Sequence, residues 1–241
     1  MEELSKVTLI GLFFGTFGTT LGGLIGISLK GASKKFLSFI LALASGLMMS
    51  IVCFDLIPEA LEIVNITNTL LGILLGIITM IFCNILVEKK LQTNKNTMLK
   101  TGIIVSLGLA IHNFPEGLAI GSGMEASFKL GINLAIAICL HDIPEGIAMG
   151  VPMKSGGMKV SKIIFYVIMS GITTGVGAFF GAIVGTISTE IIAMCLAFAG
   201  GAMLYIVSGE LIPESNNLYK GKMPVLGNIL GVIIGIFATR L

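Results

Sequence analysis

The 241-residue chain has no tryptophan, only two histidines and 12% charged residues. Soluble domains carry about 25% charged residues, so an ordinary water-soluble fold is excluded. The mean hydropathy of +1.01 and the 55% hydrophobic content point to an integral membrane protein. A net charge of +2 with no basic tract excludes a nucleic-acid partner. The four cysteines (Cys53, Cys83, Cys139, Cys195) form no C-x-x-C and each sits alone in an apolar run, so they read as packing residues. There is no H-E-x-x-H of the zinc-protease type. The start, MEELSKV, lacks the basic region and small-residue cleavage site of a signal peptide. The first hydrophobic stretch is therefore expected to be a retained span.

What is abundant is apolar sequence in lengths that fit a bilayer. A hydrocarbon core of about 30 Å takes roughly 20 residues of helix. On that ruler the expected fold is an all-α integral membrane protein with eight transmembrane helices. They run near 7–29, 36–57, 68–87, 101–123, 128–151, 163–187, 190–212 and 223–240, in one transmembrane transporter domain covering 1–241. The longest polar stretch is EKKLQTNKNTMLK, residues 88–100. Twelve of the fifteen basic residues fall in the loops after spans one, three, five and seven: Lys30, Lys34, Lys35, Lys89, Lys90, Lys95, Lys100, Lys154, Lys159, Lys162, Lys220 and Lys222. The positive-inside rule makes those loops cytoplasmic and both termini extracellular. Glycine totals 32 and recurs at four-residue spacing, as in Gly11/Gly15, Gly177/Gly181/Gly185 and Gly227/Gly231/Gly235. Such stripes serve close helix packing within the chain or the seam of a homodimer.

Four polar segments interrupt the apolar runs. HNFPEG (112–117) returns 29 positions later as HDIPEG (141–146), while DLIPEA (55–60) and ELIPES (210–215) carry the same frame with an acid in front. Each has an ionisable residue, then Pro-Glu ending four positions on: His112/Glu116, His141/Glu145, Asp55/Glu59 and Glu210/Glu214. Residues i and i+4 share a helix face, so each pair is spaced to grip one ligand. Proline cannot donate to the carbonyl four residues back, which loosens the backbone beside the ligands at Ile111 and Leu140. Ionisable residues at membrane depth are costly and mark function.

Depth divides the four. His112 and His141 lie near mid-span on neighbouring antiparallel helices, whereas the acidic pairs lie toward opposite mouths. Asp55 and Glu59 are expected outside, and Glu210 and Glu214 inside. Three helices on either side of the central pair have opposite topologies, so a 3+2+3 arrangement with inverted repeats is expected, with the substrate site at the repeat interface. Two imidazoles and two carboxylates suit zinc, iron(II), manganese, cobalt or nickel better than calcium or magnesium. Asn113 and Asp142, one residue past each histidine, could either support the ligands from behind or form an adjacent site. Two rivals are an intramembrane zinc hydrolase, which leaves the acidic mouths unexplained, and a metal exporter.

These residues resemble the ZIP (Zrt/Irt-like protein) family of divalent metal transporters, in particular its bacterial, GufA-like members. The resemblance covers essentially the whole chain. It implies uptake of zinc and related divalent metals, cadmium among them, into the cytoplasm, with the metal as substrate and no resident cofactor. It implies a primary site of His112, Glu116, His141 and Glu145. Asn113 and Asp142, bridged by the two glutamates, match the second site of binuclear members. Spans one, four, five and six would slide against the other four, and homodimers are common. Binuclear members often supply a glutamate from span six; the segment 173–177, TTGVG, offers only the neutral Thr174. Residues 88–100 contain no histidine, so a metal-sensing loop is not expected.

Overall fold

The computed structural model describes residues 2–29, 32–91 and 98–238; for residues 2, 87–91 and 98–109 it describes the backbone alone. The described residues form eight helical segments and no strand: α1 (Glu2–Ser28), α2 (Lys34–Ile63), α3 (Ile66–Leu91), α4 (Met98–Ala126), α5 (Phe128–Ser155), α6 (Val160–Gly185), α7 (Thr189–Leu218) and α8 (Lys222–Ala238). Among the described residues α1, α2, α3, α5, α6 and α7 are each long and apolar enough to cross a membrane, and α8 is a shorter apolar helix. Residues 92–97 of the polar stretch, Lys30 and Arg240 lie outside the described residues.

The helices run past the sequence-based spans, most of all α2 to Ile63 and α7 to Leu218. The bilayer ruler measures only the apolar part, and a helix continues while its backbone bonds are satisfied. Short side chains then set the starts. Ser33, Ser127 and Ser188 accept from the amides of Phe36, Leu130 and Ile191 at the heads of α2, α5 and α7. Asn65 does the same for α3 through Asn68. These are N-caps that satisfy amides the helix itself cannot. One residue, Ser127, separates α4 from α5, so the two are antiparallel neighbours.

Glycine decides which helices touch. A Cβ at Gly117 would collide with the carbonyl of Thr174, and one at Gly177 with that of Phe114, so α4 and α6 run parallel with backbones in contact. Gly22 and Gly146 bring α1 against α5 at Ile143 and Thr19, and Gly11 and Gly15 bring it against α6 at Ala178 and Thr174. Gly46 and Gly231 join α2 to α8 at Asn228 and Leu43, and Gly76 and Gly201 join α3 to α7 at Phe198 and Ile73. These backbone approaches fall within two groups, α1/α4/α5/α6 and α2/α3/α7/α8. Between the groups, α4 meets α7 and α2 meets α5. There the core consists of larger side chains, including Met48, Ile51, Ile120, Ile138, Leu196 and Met203. The glycine stripes are thus used inside one chain.

Candidate metal site

The four polar motifs adopt two local structures. Pro115 and Pro144 lie inside unbroken α-helix in α4 and α5. In α2 and α7 the helix opens into a π-turn, Val52–Leu56 and Val207–Leu211, just before the proline. The Ile57 amide reaches back five residues to Val52, and the Ile212 amide to Val207. The wider turn absorbs the proline clash, because Pro58 and Pro213 then stand in the first turn of a new segment, where no amide is needed. It also takes Asp55 and Glu210 out of strict α-helical register with Glu59 and Glu214.

At the centre of the bundle His112, Asn113, Glu116, His141, Asp142 and Glu145 are all brought together and buried, none more than 3% exposed. The histidine-carboxylate contacts cross between helices. His112 Nε2 lies 3.0 Å from Glu145 Oε1, and His141 Nε2 lies 2.9 Å from Glu116 Oε1. The expected i,i+4 contact is present but longer for His112 and Glu116, at 3.2 Å. Asp142 Oδ1 is 3.6 Å from His141 Nε2. Two sets of donor atoms, from His112/His141/Glu145 and from Glu116/His141/Asp142, each lie within 4.8 Å of one another. The spacing predicts a grip within each helix; folding makes it a grip between them.

The cluster has more acceptors than the protein satisfies. Glu116 Oε2, Glu145 Oε2, both Asp142 oxygens and Asn113 Oδ1 are buried with no hydrogen-bonding partner among the described residues. Buried carboxylates without donors are costly. A divalent cation satisfies both their charge and their lone pairs, and the His/carboxylate donor set fits borderline metals.

The remaining predicted residues lie elsewhere. Thr174 is fully buried on α6, its carbonyl against Gly117 and its side chain filling the slot left by Gly15 of α1. Asp55, Glu59 and Glu210 are half-buried and Glu214 is exposed, away from the central cluster in sequence and burial. Glu210 Oε1 accepts from Asn84 Nδ2 of α3 at 2.7 Å, and the same amide group lies 3.3 Å from the Tyr205 hydroxyl. Neither Asn84 nor Ser170, which binds Asn113, stood out in the sequence. A lone amide or hydroxyl in an apolar helix carries no spacing signal.

The family model for the ZIP zinc transporter matches residues 87–239. The zinc transporter GufA of Myxococcus xanthus is 34% identical over 141 residues, covering 58% of this chain and 56% of that protein. The human zinc transporter ZIP11 is 38% identical over 138 residues, covering 54% of this chain and 40% of that one. The chain therefore spans about half the length of these two relatives. The zinc transporter ZupT of Corynebacterium aurimucosum is 29% identical over 238 residues, covering 90% and 89%. With the motif pair on α4 and α5 inside the matched region, and several apolar helices of membrane-spanning length, the chain is a multi-pass membrane protein that belongs to the ZIP zinc transporter family.

Proposed function

We propose that this protein moves zinc, or a related divalent transition metal, across the cell membrane into the cytoplasm by alternating access. The observation that carries this reading is the crossed histidine-glutamate cluster, buried at the middle of two antiparallel helices with carboxylate oxygens left unsatisfied. A stored structural ion would need only a closed cage. Here the cage sits in the central helices of a bundle whose relatives are named zinc transporters.

In this reading His112, Glu116, His141 and Glu145 form the primary site. Asn113 and Asp142, with the glutamates bridging, form a second one, and Thr174 adds at most a neutral oxygen beside the path. Asp55 and Glu59 serve the outer approach, Glu210 and Glu214 the inner one, and both termini are extracellular. The packing supports eight spans in a 3+2+3 arrangement of inverted repeats. The approach of Gly76 on α3 to Phe198 on α7 recurs, 155 residues apart and with the helix numbers exchanged, as that of Gly231 on α8 to Leu43 on α2. Asp55 and Glu210 keep the same offset, and so do their π-turns. The glycine-locked group α1/α4/α5/α6 is one natural rigid body and the locked pairs α2/α8 and α3/α7 together are the other; the side-chain interface between them is where sliding is cheapest. A homodimer would use faces other than the glycine stripes, which are already occupied.

Purified protein in liposomes containing a zinc-sensitive dye tests the function. An inward zinc gradient should raise the internal signal well above that of protein-free vesicles. Movement only when an opposing pH gradient drives it outward would favour an exporter, and no movement under either gradient would remove the transport reading.

A further inference from the structure

We propose that Ser170 of α6 is a positioning residue: it fixes the Asn113 side chain so that its carbonyl oxygen, not its amide nitrogen, faces the metal. This rests on the reading of Asn113 as a ligand. A buried asparagine can present either end of its amide, and the two ends have opposite effects on a cation. The NH2 end repels it and the carbonyl end binds it.

The choice is made by chemistry on α6. Asn113 Nδ2 donates to the main-chain carbonyl of Ser170 at 3.0 Å and to its hydroxyl oxygen at 3.2 Å. A carbonyl oxygen only accepts, so the flipped amide would set oxygen against oxygen. The retained orientation leaves Asn113 Oδ1 buried and without a hydrogen-bonding partner among the described residues, as are oxygens of Glu116, Asp142 and Glu145. Ser170 is itself 1% exposed, so water does not compete for the amide.

The reach depends on glycine. An asparagine side chain is short, and it meets a neighbouring backbone only where the two helices touch. Gly117 against the Thr174 carbonyl and Gly177 against the Phe114 carbonyl provide that contact within the two turns that follow the pair. The arrangement is one-sided. The counterpart of Ser170, offset by 155 positions, is Gly15, which has no hydroxyl; the counterpart of Asn113 in the motif 29 positions on is Asp142, whose oxygens have no hydrogen-bonding partner among the described residues. An aspartate needs no such device, because both its oxygens attract a cation.

A double-mutant cycle on the full chain, purified in detergent, tests the assignment by zinc titration calorimetry and by the cobalt(II) visible absorption, which reports ligand number and geometry. Ser170→Ala should weaken zinc binding by about tenfold, the lower end of the range for losing an outer-sphere partner, since the carbonyl remains. Its cobalt spectrum should shift in the direction seen for Asn113→Ala. In the Asn113→Ala background, Ser170→Ala should change neither readout further. Equal losses in both backgrounds would make Ser170 a packing residue and overturn the proposal. Wild-type zinc affinity in Asn113→Ala itself would overturn the ligand reading beneath it, leaving the four-residue primary site standing.

Discussion

On α4 and α5 the Pro-Glu motif sits in unbroken helix with every polar group buried, whereas on α2 and α7 the same motif follows a π-turn and its acids are half-buried or exposed. The first residue explains much of the difference. A histidine can accompany a glutamate into the bundle, because each relieves the other's desolvation across the helix pair. Asp55 with Glu59, or Glu210 with Glu214, would bury two like charges, and the wider turn keeps them nearer water. One residue string thus yields a buried histidine-glutamate cluster in one place and half-buried or exposed acids in another, and the partner at the first position decides which.

Removing the imidazoles should break this comparison most strongly. His112→Ala and His141→Ala should each cost on the order of 10- to 100-fold in zinc affinity, since each loss also strips the facing glutamate of its partner. Calorimetry on purified protein reads the change directly. Affinity unaltered in both variants would mean that the crossed contacts are structural.

Much of this was legible before the fold. The pair at 112 and 141 could be read because i,i+4 spacing on a helix needs no knowledge of the rest of the chain. The crossing of the contacts was not legible, since it depends on the rotation of α4 against α5. The π-turns were hidden too: DLIPEA and HDIPEG have the same proline frame, and only packing determines whether the helix tolerates the clash or widens. Ser170 lies in a run of small residues where a hydroxyl reads as filler. The helices α2 and α7 run six residues beyond the expected 57 and 212 because the ruler counts apolar residues while the helices continue through the motif.

A second comparison concerns the two glycines nearest these turns. At Gly46 on α2 a methyl group would collide with the carbonyl of Asn228, whereas at Gly209, inside the α7 π-turn, it meets nothing closer than 3.8 Å. Gly46→Ala should therefore lower stability by about 1–3 kcal/mol, the cost of forcing packed backbones apart, while Gly209→Ala should leave it unchanged. Thermal unfolding in detergent separates the two. Equal melting temperatures would show that α2 and α8 are not locked by glycine contact.

The smallest effect should come from the approach. Asn84→Ala removes a hydrogen bond to a carboxylate, worth about 1.5–3 kcal/mol when fully formed and less at this half-buried depth. It should alter the rate of zinc delivery by a fewfold while leaving equilibrium zinc affinity intact. A large drop in affinity would instead tie Glu210 to the central site.

The most direct test sets the two classes of acid side by side in zinc uptake by liposomes at matched protein density. Glu116→Gln and Glu145→Gln keep size and lose charge at the cage, and Asp55→Asn and Glu210→Gln do the same at the approaches. The account predicts uptake at the protein-free background for the first two and reduced but saturable uptake for the second two. Wild-type uptake by Glu116→Gln and Glu145→Gln would contradict it.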